Sequence, residues 1–355
     1  MESKKFGYID SLRGIAILLV IWVHIGVVLN NTTLYFPTDS FLFQFILSGQ
    51  YGVQLFFVVS AFTLMISYYN RITEDHATRN FFIRRFFRIA PMYYLAIAYF
   101  TLDKYLQYDF SNFSEVPIRS LLSNLFFYNA LIPEHINNYV PGGWSVSVEF
   151  MFYLLMPIIC CKVRNFDSAV KLFAITFVIA LIANLYIVEN TYYPYFKSYN
   201  FIVQLPIFPM GIATYFYLRD KQVKLSKWSW GLIAIAIWTA CFLVIPKHLY
   251  FGLFFAILLI IQEKYRLKVF SNKLLVMIGK VSFSMYLVHF AVIFMFNRFD
   301  FNDIITVDSY GSALLNFILM YILVVTITFV VSNVTYRAIE IPGQDLGRKI
   351  IKKLN

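Results

Sequence analysis

Residues 8–29 read YIDSLRGIAILLVIWVHIGVVL, an apolar run carrying Arg13 and His24. About 20 such residues in a helix cross the hydrocarbon core of a bilayer. An ionisable side chain near the centre of a membrane helix costs roughly 2.5–3.5 kcal/mol on insertion scales, so it is kept for a reason. Arg13 and His24 are eleven positions apart. At about 100° per residue they return to within roughly 20° of one face, about 16 Å apart along the axis. One helix face therefore carries a fixed cation near one membrane surface and a titratable imidazole deeper in. The pattern calls for a polar cavity rather than a wall against lipid.

Composition carries the same message through the whole chain. Of its 355 residues, 60% are hydrophobic and 14% charged, and mean hydropathy is +0.67. Soluble domains carry about 25% charged residues, so this chain belongs in a membrane. No stretch is long and polar enough to form a separate soluble domain, and no internal repeat is evident. The first apolar run is too long for a signal h-region, contains Arg13 and lacks a small-x-small cleavage site, so it is expected to stay as a helix. Cys160, Cys161 and Cys241 have neither disulfide-framework nor metal-ligand spacing and are expected to pack between helices. No bound metal is expected.

The expected fold is all-α: a polytopic helical bundle with about ten transmembrane helices. The predicted spans are 8–29, 50–69, 86–106, 144–162, 170–188, 201–218, 229–246, 249–263, 275–297 and 311–334. The net charge of +11 is distributed by topology and does not call for nucleic acid. With both termini cytoplasmic, all of the 30 Lys and Arg except Lys104, Arg119, Lys197, Lys247 and Arg298 fall on the inner side or at inner helix ends, as the positive-inside rule demands. Ser120–Ile132 is apolar but short. Counting it as a crossing would invert every later loop, so it is expected to be a re-entrant or interfacial segment on the outer side. Phe41–Leu47 is expected to be a similar amphipathic approach to the second span.

Between the second and third spans lies NFFIRRFFRIAPMYY, with Arg84, Arg85 and Arg88. Arg84 and Arg88 are one helical turn apart, and arginine forks bind phosphate oxygens in bidentate fashion. Two readings stand: a stop-transfer cluster against anionic lipid, or a site for a cytoplasmic phosphate-bearing ligand. Residues 141–157 read PGGWSVSVEFMFYLLMP. Gly142 and Gly143 permit a tight turn, and Trp144 suits an outer interface. Ser145, Glu149 and Tyr153 recur at i, i+4, i+8 on one face. Glu149 either pairs with a buried cation or meets His24, which the inferred topology places at a similar depth. A His beside a carboxylate is a general base, the carboxylate fixing the tautomer and stabilising the imidazolium.

The third constellation is GKVSFSMYLVH, residues 279–289, with Ser282, Tyr286 and His289 on one face about 13 Å in from Lys280. These side chains either line the cavity between the arginines and His24 or bond neighbouring helices. Tyr336, Arg337 and Glu340 close the last helix in a structural role. A phosphate-cradling glycine loop, an HExxH pair and a GxSxG elbow are all absent from the sequence, so nucleophilic serine catalysis has no support.

Together these residues resemble the membrane-bound acyltransferase 3 family over nearly the whole chain. Arg13 and His24 match its R-x10-H, and YGVQLFFVVSAF (51–62) is similar to its GVxLFFVLSGF. Arg84, Arg85, Arg88 and Pro91 match RRxxRIxP. Trp144, Ser145, Glu149, Phe152 and Tyr153 match WSLxxExxFY. Gly279, Ser282, Tyr286 and His289 match GxxSYxxYLxH, and Tyr336, Glu340 and Pro342 match YRxIExP. Ala61 stands where the family pattern has the glycine of SGF, which questions the tight backbone geometry expected there. Val146 and Phe283 are conservative departures. The SGNH-type domain fused to some relatives is expected to be missing, leaving one membrane acyltransferase domain over 1–355 (a stand-alone type).

The resemblance implies an O-acyltransferase, most often an O-acetyltransferase, of the cell (inner) membrane. It implies acetyl-CoA or another acyl-CoA as cytoplasmic donor substrate, and no permanently bound cofactor. The implied acceptor is a hydroxyl of a surface polysaccharide or its lipid-linked glycan precursor. Arg13, Arg84, Arg85 and Arg88 would hold the CoA phosphates. His24 would act as general base with Glu149, and Trp144, Ser145, Tyr153, Ser282, Tyr286 and His289 would line the site. The rival readings are a transporter of a small acyl or sugar compound, for which intramembrane charges are equally natural, and a scaffold for polysaccharide assembly. No inverted repeat supports the transporter.

Overall fold

A computed structural model of the chain describes residues 7–33, 37, 39–107, 118–220, 226, 229 and 246–355. Among them the regular structure is entirely helical. In chain order the helices are α1 (Gly7–Thr33), α2 (Phe41–Ser48), α3 (Gly52–Tyr69), α4 (Ala77–Gln107), α5 (Ile118–Leu125), α6 (Gly143–Lys162) and α7 (Phe166–Asn190). There follow α8 (Pro194–Tyr199), α9 (Phe201–Gln204), α10 (Ile207–Arg219), α11 (Lys247–Tyr265), α12 (Lys273–Lys280), α13 (Ser282–Arg298), α14 (Tyr310–Thr335) and α15 (Ile341–Leu354). With no water in the bilayer core, helices satisfy their own backbone polar groups, so apolar runs of this length fold this way.

Seven helical runs among the described residues are long and apolar enough to cross a membrane: Gly7–Leu29, Phe41–Tyr69, Gly143–Lys162, Phe166–Ile187, Phe201–Arg219, Lys247–Tyr265 and Tyr310–Leu354. They take in the expected spans at 8–29, 50–69, 144–162, 170–188, 201–218, 249–263 and 311–334. The expected span 275–297 is bent instead. Lys268–Lys280 and Ser282–Arg298 meet at 69°, and together they raise the number to eight. Val281 leaves the helical region there, at φ −104° and ψ 12°. The rise from Lys280 therefore does not measure the depth of His289. The expected span 86–106 lies inside the single 31-residue helix α4; three arginines near its start and Asp103 and Lys104 near its end keep it out of the apolar set. The span 229–246, apart from Ser229 and Pro246, lies outside the described residues, as does Cys241.

Ser120–Ile132 is too short a helix to cross. α5 ends at Leu125, Phe127 turns the chain in the left-handed region at φ 58°, and 3-10 turns follow at Asn129–Leu131 and Pro133–His135. Phe41–Leu47 forms α2, capped by Ser40, whose hydroxyl accepts the Phe43 N–H at 3.2 Å.

The chain divides into two compact units, 1–56 with 262–342, and 57–261 with 343–355. In the first, α1 lies backbone to backbone on α12. A Cβ on Gly14 would strike the Leu275 carbonyl, and one on Gly279 the Asp10 carbonyl. Small residues permit such approach where helices lack a hydrophobic drive to associate. Gly49 and Gly52 bring the start of α3 onto the Leu19 and Ala16 carbonyls of α1 in the same way. Tyr321 of α14 donates to the Leu18 carbonyl at 3.0 Å, and Trp22 sits edge-on to Phe317 and Tyr321 at 4.5 and 5.1 Å.

In the second unit the close approach expected at residue 61 is kept, with the glycine on the opposite helix. A Cβ on Gly211 of α10 would meet the Val58 carbonyl and come within 2.9 Å of the Ala61 Cβ. Ala61 is fully buried. One glycine per crossing suffices. α15 crosses α4 through Gly343 and Gly347, where added Cβ atoms would meet Pro91 Cγ at 2.7 Å and Phe87 Cβ at 2.8 Å. Pro91 sits within α4, where its ring removes one backbone donor.

Candidate active site

In the first unit the bend at Val281 starts α13, and its face places Ser282, Tyr286 and His289 in the interior; all three are buried. His289 packs against His24 of α1 with ring centroids 5.4 Å apart at an angle of 36°. The Phe290 ring touches both, 4.4 Å from His24 and 4.2 Å from His289. Tyr286 stands 5.7 Å from His289 and 6.1 Å from Phe56. His289 Nδ1 lies 3.2 Å from the Met285 carbonyl, one turn back. Its Nε2 is buried with no hydrogen-bond partner among the described residues. His289 has no exposed surface, whereas His24 is half-buried. Arg13, three turns from His24, forms an ion pair with Asp10 at 3.3 Å.

Near the start of α13, Ser284 donates to Glu340 Oε1. Glu340 is buried in the wide turn Tyr336–Glu340 that joins α14 to α15. The Ser284–Glu340 hydrogen bond ties this turn to α13.

The second unit holds the carboxylate. Gly142, at φ 72°, turns the chain into α6, a conformation glycine adopts without strain. Gly143 must stay small because a Cβ would come within 2.8 Å of the Tyr93 hydroxyl. Two turns on, Glu149 Oε1 accepts from Tyr153 at 2.7 Å and from the Ser60 hydroxyl of α3. Tyr153 thus joins Glu149 as its spacing implied. Ser145 does not: its hydroxyl donates to the Gly142 carbonyl at 3.0 Å. Trp144 is buried rather than at an open interface, stacked on Tyr199 at 4.3 Å and 3°.

The arginines separate into three environments. The Arg84 guanidinium forks onto Glu74, with Nη2 2.9 Å from Oε2 and Nη1 3.0 Å from Oε1. That hydrogen bonding holds the Glu74 carboxyl below its ordinary pKa. Arg85 lies over the rings of Phe81 and Tyr153 at 5.5 and 5.7 Å, a cation–π arrangement. Arg88 is half-buried and makes no hydrogen bond or ion pair among the described residues. A continuous set, Ser60, Glu149, Tyr153 and Arg85, therefore runs from the carboxylate to the arginine cluster within one unit.

Sequence reading singled out neither Ser60, Glu74 nor Phe290. Ser60 had a signal, a hydroxyl in the apolar run LFFVVSAF. Glu74 and Phe290 had none, since a loop carboxylate and a helix phenylalanine are ordinary. Among the described residues no group of three His, Cys, Asp or Glu side chains is placed to hold a metal.

The acyltransferase domain family, the acyltransferase 3 family, matches residues 6–337. The chain belongs to this family. Its relatives carry consistent names. A Staphylococcus aureus (strain COL) protein named "Putative O-acetyltransferase SACOL0978" is 26% identical over 394 residues, covering 100% of this chain and 60% of the relative. A protein of Acidianus two-tailed virus named "Putative acetyltransferase ORF330" is 27% identical over 241 residues, covering 67% of this chain and 60% of the relative. Nodulation protein 10 of Rhizobium leguminosarum bv. viciae is 24% identical over 245 residues, covering 62% of this chain and 61% of the relative. The chain thus spans about 60% of the length of the curated relatives it matches. No solved structure matches. The chain is a multi-pass membrane protein of an acyltransferase family, with relatives named for O-acetyl transfer.

Proposed function

We propose that the chain transfers an acyl group, acetyl foremost, from cytoplasmic acyl-CoA to a hydroxyl of a surface polysaccharide or its lipid-linked precursor. The bilayer is that of the cell membrane, with both termini cytoplasmic, as the charge distribution favours. The observation that carries the reading is Arg88: a half-buried guanidinium without a protein acceptor among the described residues, one turn from Arg85. A half-buried guanidinium with no carboxylate on it among the described residues is open to an anion, and a CoA phosphate fits that fork. Arg84 and Arg85 complete the phosphate site.

His24 acts as general base. It removes the proton of the acceptor hydroxyl as the oxygen attacks the thioester carbonyl. The C–S bond breaks, and the thiolate of CoA takes that proton from the imidazolium. By the family motif, Glu149 is the carboxylate we assign to support that base. General-base catalysis contributes roughly 10²–10⁴-fold, and positioning of the two substrates supplies much of the remainder.

The test is thiol release from acetyl-CoA by the purified chain, in water and with a glucose oligosaccharide as acceptor probe. His24→Ala is expected to lower transfer by at least about 10²-fold while acetyl-CoA still binds. Undiminished transfer in that variant overturns the assignment of the base.

A further inference from the structure

We infer that His289 is the residue that positions His24. The inference rests on the reading of His24 as general base and adds to it how the ring is held in the right tautomer. It begins from the Met285 carbonyl, 3.2 Å from His289 Nδ1. A carbonyl oxygen only accepts, so Nδ1 of a neutral His289 carries the proton. Its Nε2 is then a bare lone pair, able only to accept. That atom is buried and makes no hydrogen bond among the described residues.

The ring beside it is His24, 5.4 Å away between centroids, and His24 makes no hydrogen bond among the described residues either. The donor that His289 Nε2 lacks and the acceptor that a His24 N–H lacks therefore stand in one interior, with Phe290 packed against both rings. Exposure divides the roles. His289 has no exposed surface, while His24 is half-buried. His24 directs one N–H to His289 Nε2 and keeps its other nitrogen unprotonated toward the acceptor hydroxyl.

Hydrogen bonds of this kind are often open in the resting state and tighten when substrate arrives. His289 stays neutral and Nδ1-protonated throughout, so no additional proton is moved. Two duties that a single carboxylate often performs are thereby split. His289 sets the tautomer, and Glu149 remains a source of charge.

The experiment compares His289→Leu with His289→Gln in the full chain, reading thiol release from acetyl-CoA, acetyl-CoA affinity and Tm. Leucine removes the acceptor; glutamine restores an amide oxygen near the position of Nε2. The expected result is a fall in kcat of about 10²-fold for His289→Leu with donor affinity within twofold of wild type, and recovery by His289→Gln to within about tenfold. Two outcomes overturn the proposal: equal loss in both variants, which marks a packing role, or transfer within twofold of wild type in His289→Leu. If His24→Ala is inactive while His289→Leu is not, positioning by His289 fails and the base stands. If His24→Ala transfers normally, both fall.

Discussion

The two histidines of the first unit and the carboxylate–arginine set of the second are buried polar groups kept by opposite means. The histidines are held through backbone and rings: Met285 offers a carbonyl and Phe290 a face. Glu149 is held through side chains, by the Ser60 and Tyr153 hydroxyls, with Arg85 lying beyond Tyr153. A neutral group that must change protonation is served by fixed, uncharged partners. A permanent charge in low dielectric is served by donors and a cation within reach, because an ion left alone there is far more costly than a neutral dipole. The contrast is consistent with the proposed division between a proton-transferring imidazole and a supporting carboxylate.

The sharpest way to break that contrast is Glu149→Gln. The amide oxygen still accepts from Ser60 and Tyr153, so the local fold is kept and only the charge goes. Acyl transfer measured by thiol release is expected to fall by about 10²-fold with Tm little changed, the low end of what general-base catalysis contributes. Transfer within twofold of wild type would show that His24 works without the carboxylate.

Much of this was legible in the sequence, for identifiable reasons. Apolar runs near 20 residues can only be helices in lipid, so seven expected spans correspond to observed helices. Helical spacing brought Tyr153 to Glu149, since i and i+4 always meet on one face. The failures share a cause: spacing says nothing about what arrives from another helix. Ser145 has the right period, yet its hydroxyl satisfies the Gly142 carbonyl at the helix start, and Ser60 of α3 takes its place beside Glu149. The bend at Val281 was invisible because Val is an acceptable helix residue. It lies just after the close approach of Gly279 to the Asp10 carbonyl of a neighbouring helix, which the local sequence does not reveal. Likewise Ala61 looked like a lost glycine, while Gly211 across the crossing supplied it.

A second, smaller effect probes the arginines. Arg88→Ala is expected to weaken acetyl-CoA binding by about tenfold or more, since hydrogen bonds to charged groups contribute roughly 1.5–3 kcal/mol. Affinity for the acceptor probe and Tm should hardly move. Arg85→Ala should depress kcat as well, because its guanidinium also rests on the ring of Tyr153, the donor to Glu149. Equal losses of donor and acceptor binding in Arg88→Ala would place that side chain in the fold and outside the phosphate site.

The smallest effect belongs to Glu74, which occupies the fork of Arg84 that a phosphate would use. Glu74→Gln is expected to tighten acetyl-CoA binding a few-fold at low salt, and the gain should shrink as salt screens the phosphates. It should also lower Tm at neutral pH slightly, since a pair this near the surface contributes about 0.2–1 kcal/mol. Arg84 holds the Glu74 carboxyl below its ordinary value in the folded chain. The pair's contribution is therefore fully present above the unfolded value, about 4.3, and is lost as pH falls through the lower folded value. The Tm difference between wild type and Glu74→Gln should accordingly be present at pH 7 and close in acid. A difference that persists unchanged well below pH 4 would trace the effect to packing. Unchanged donor affinity at every salt concentration would remove Arg84 from the phosphate site and leave Arg85 and Arg88 to hold it.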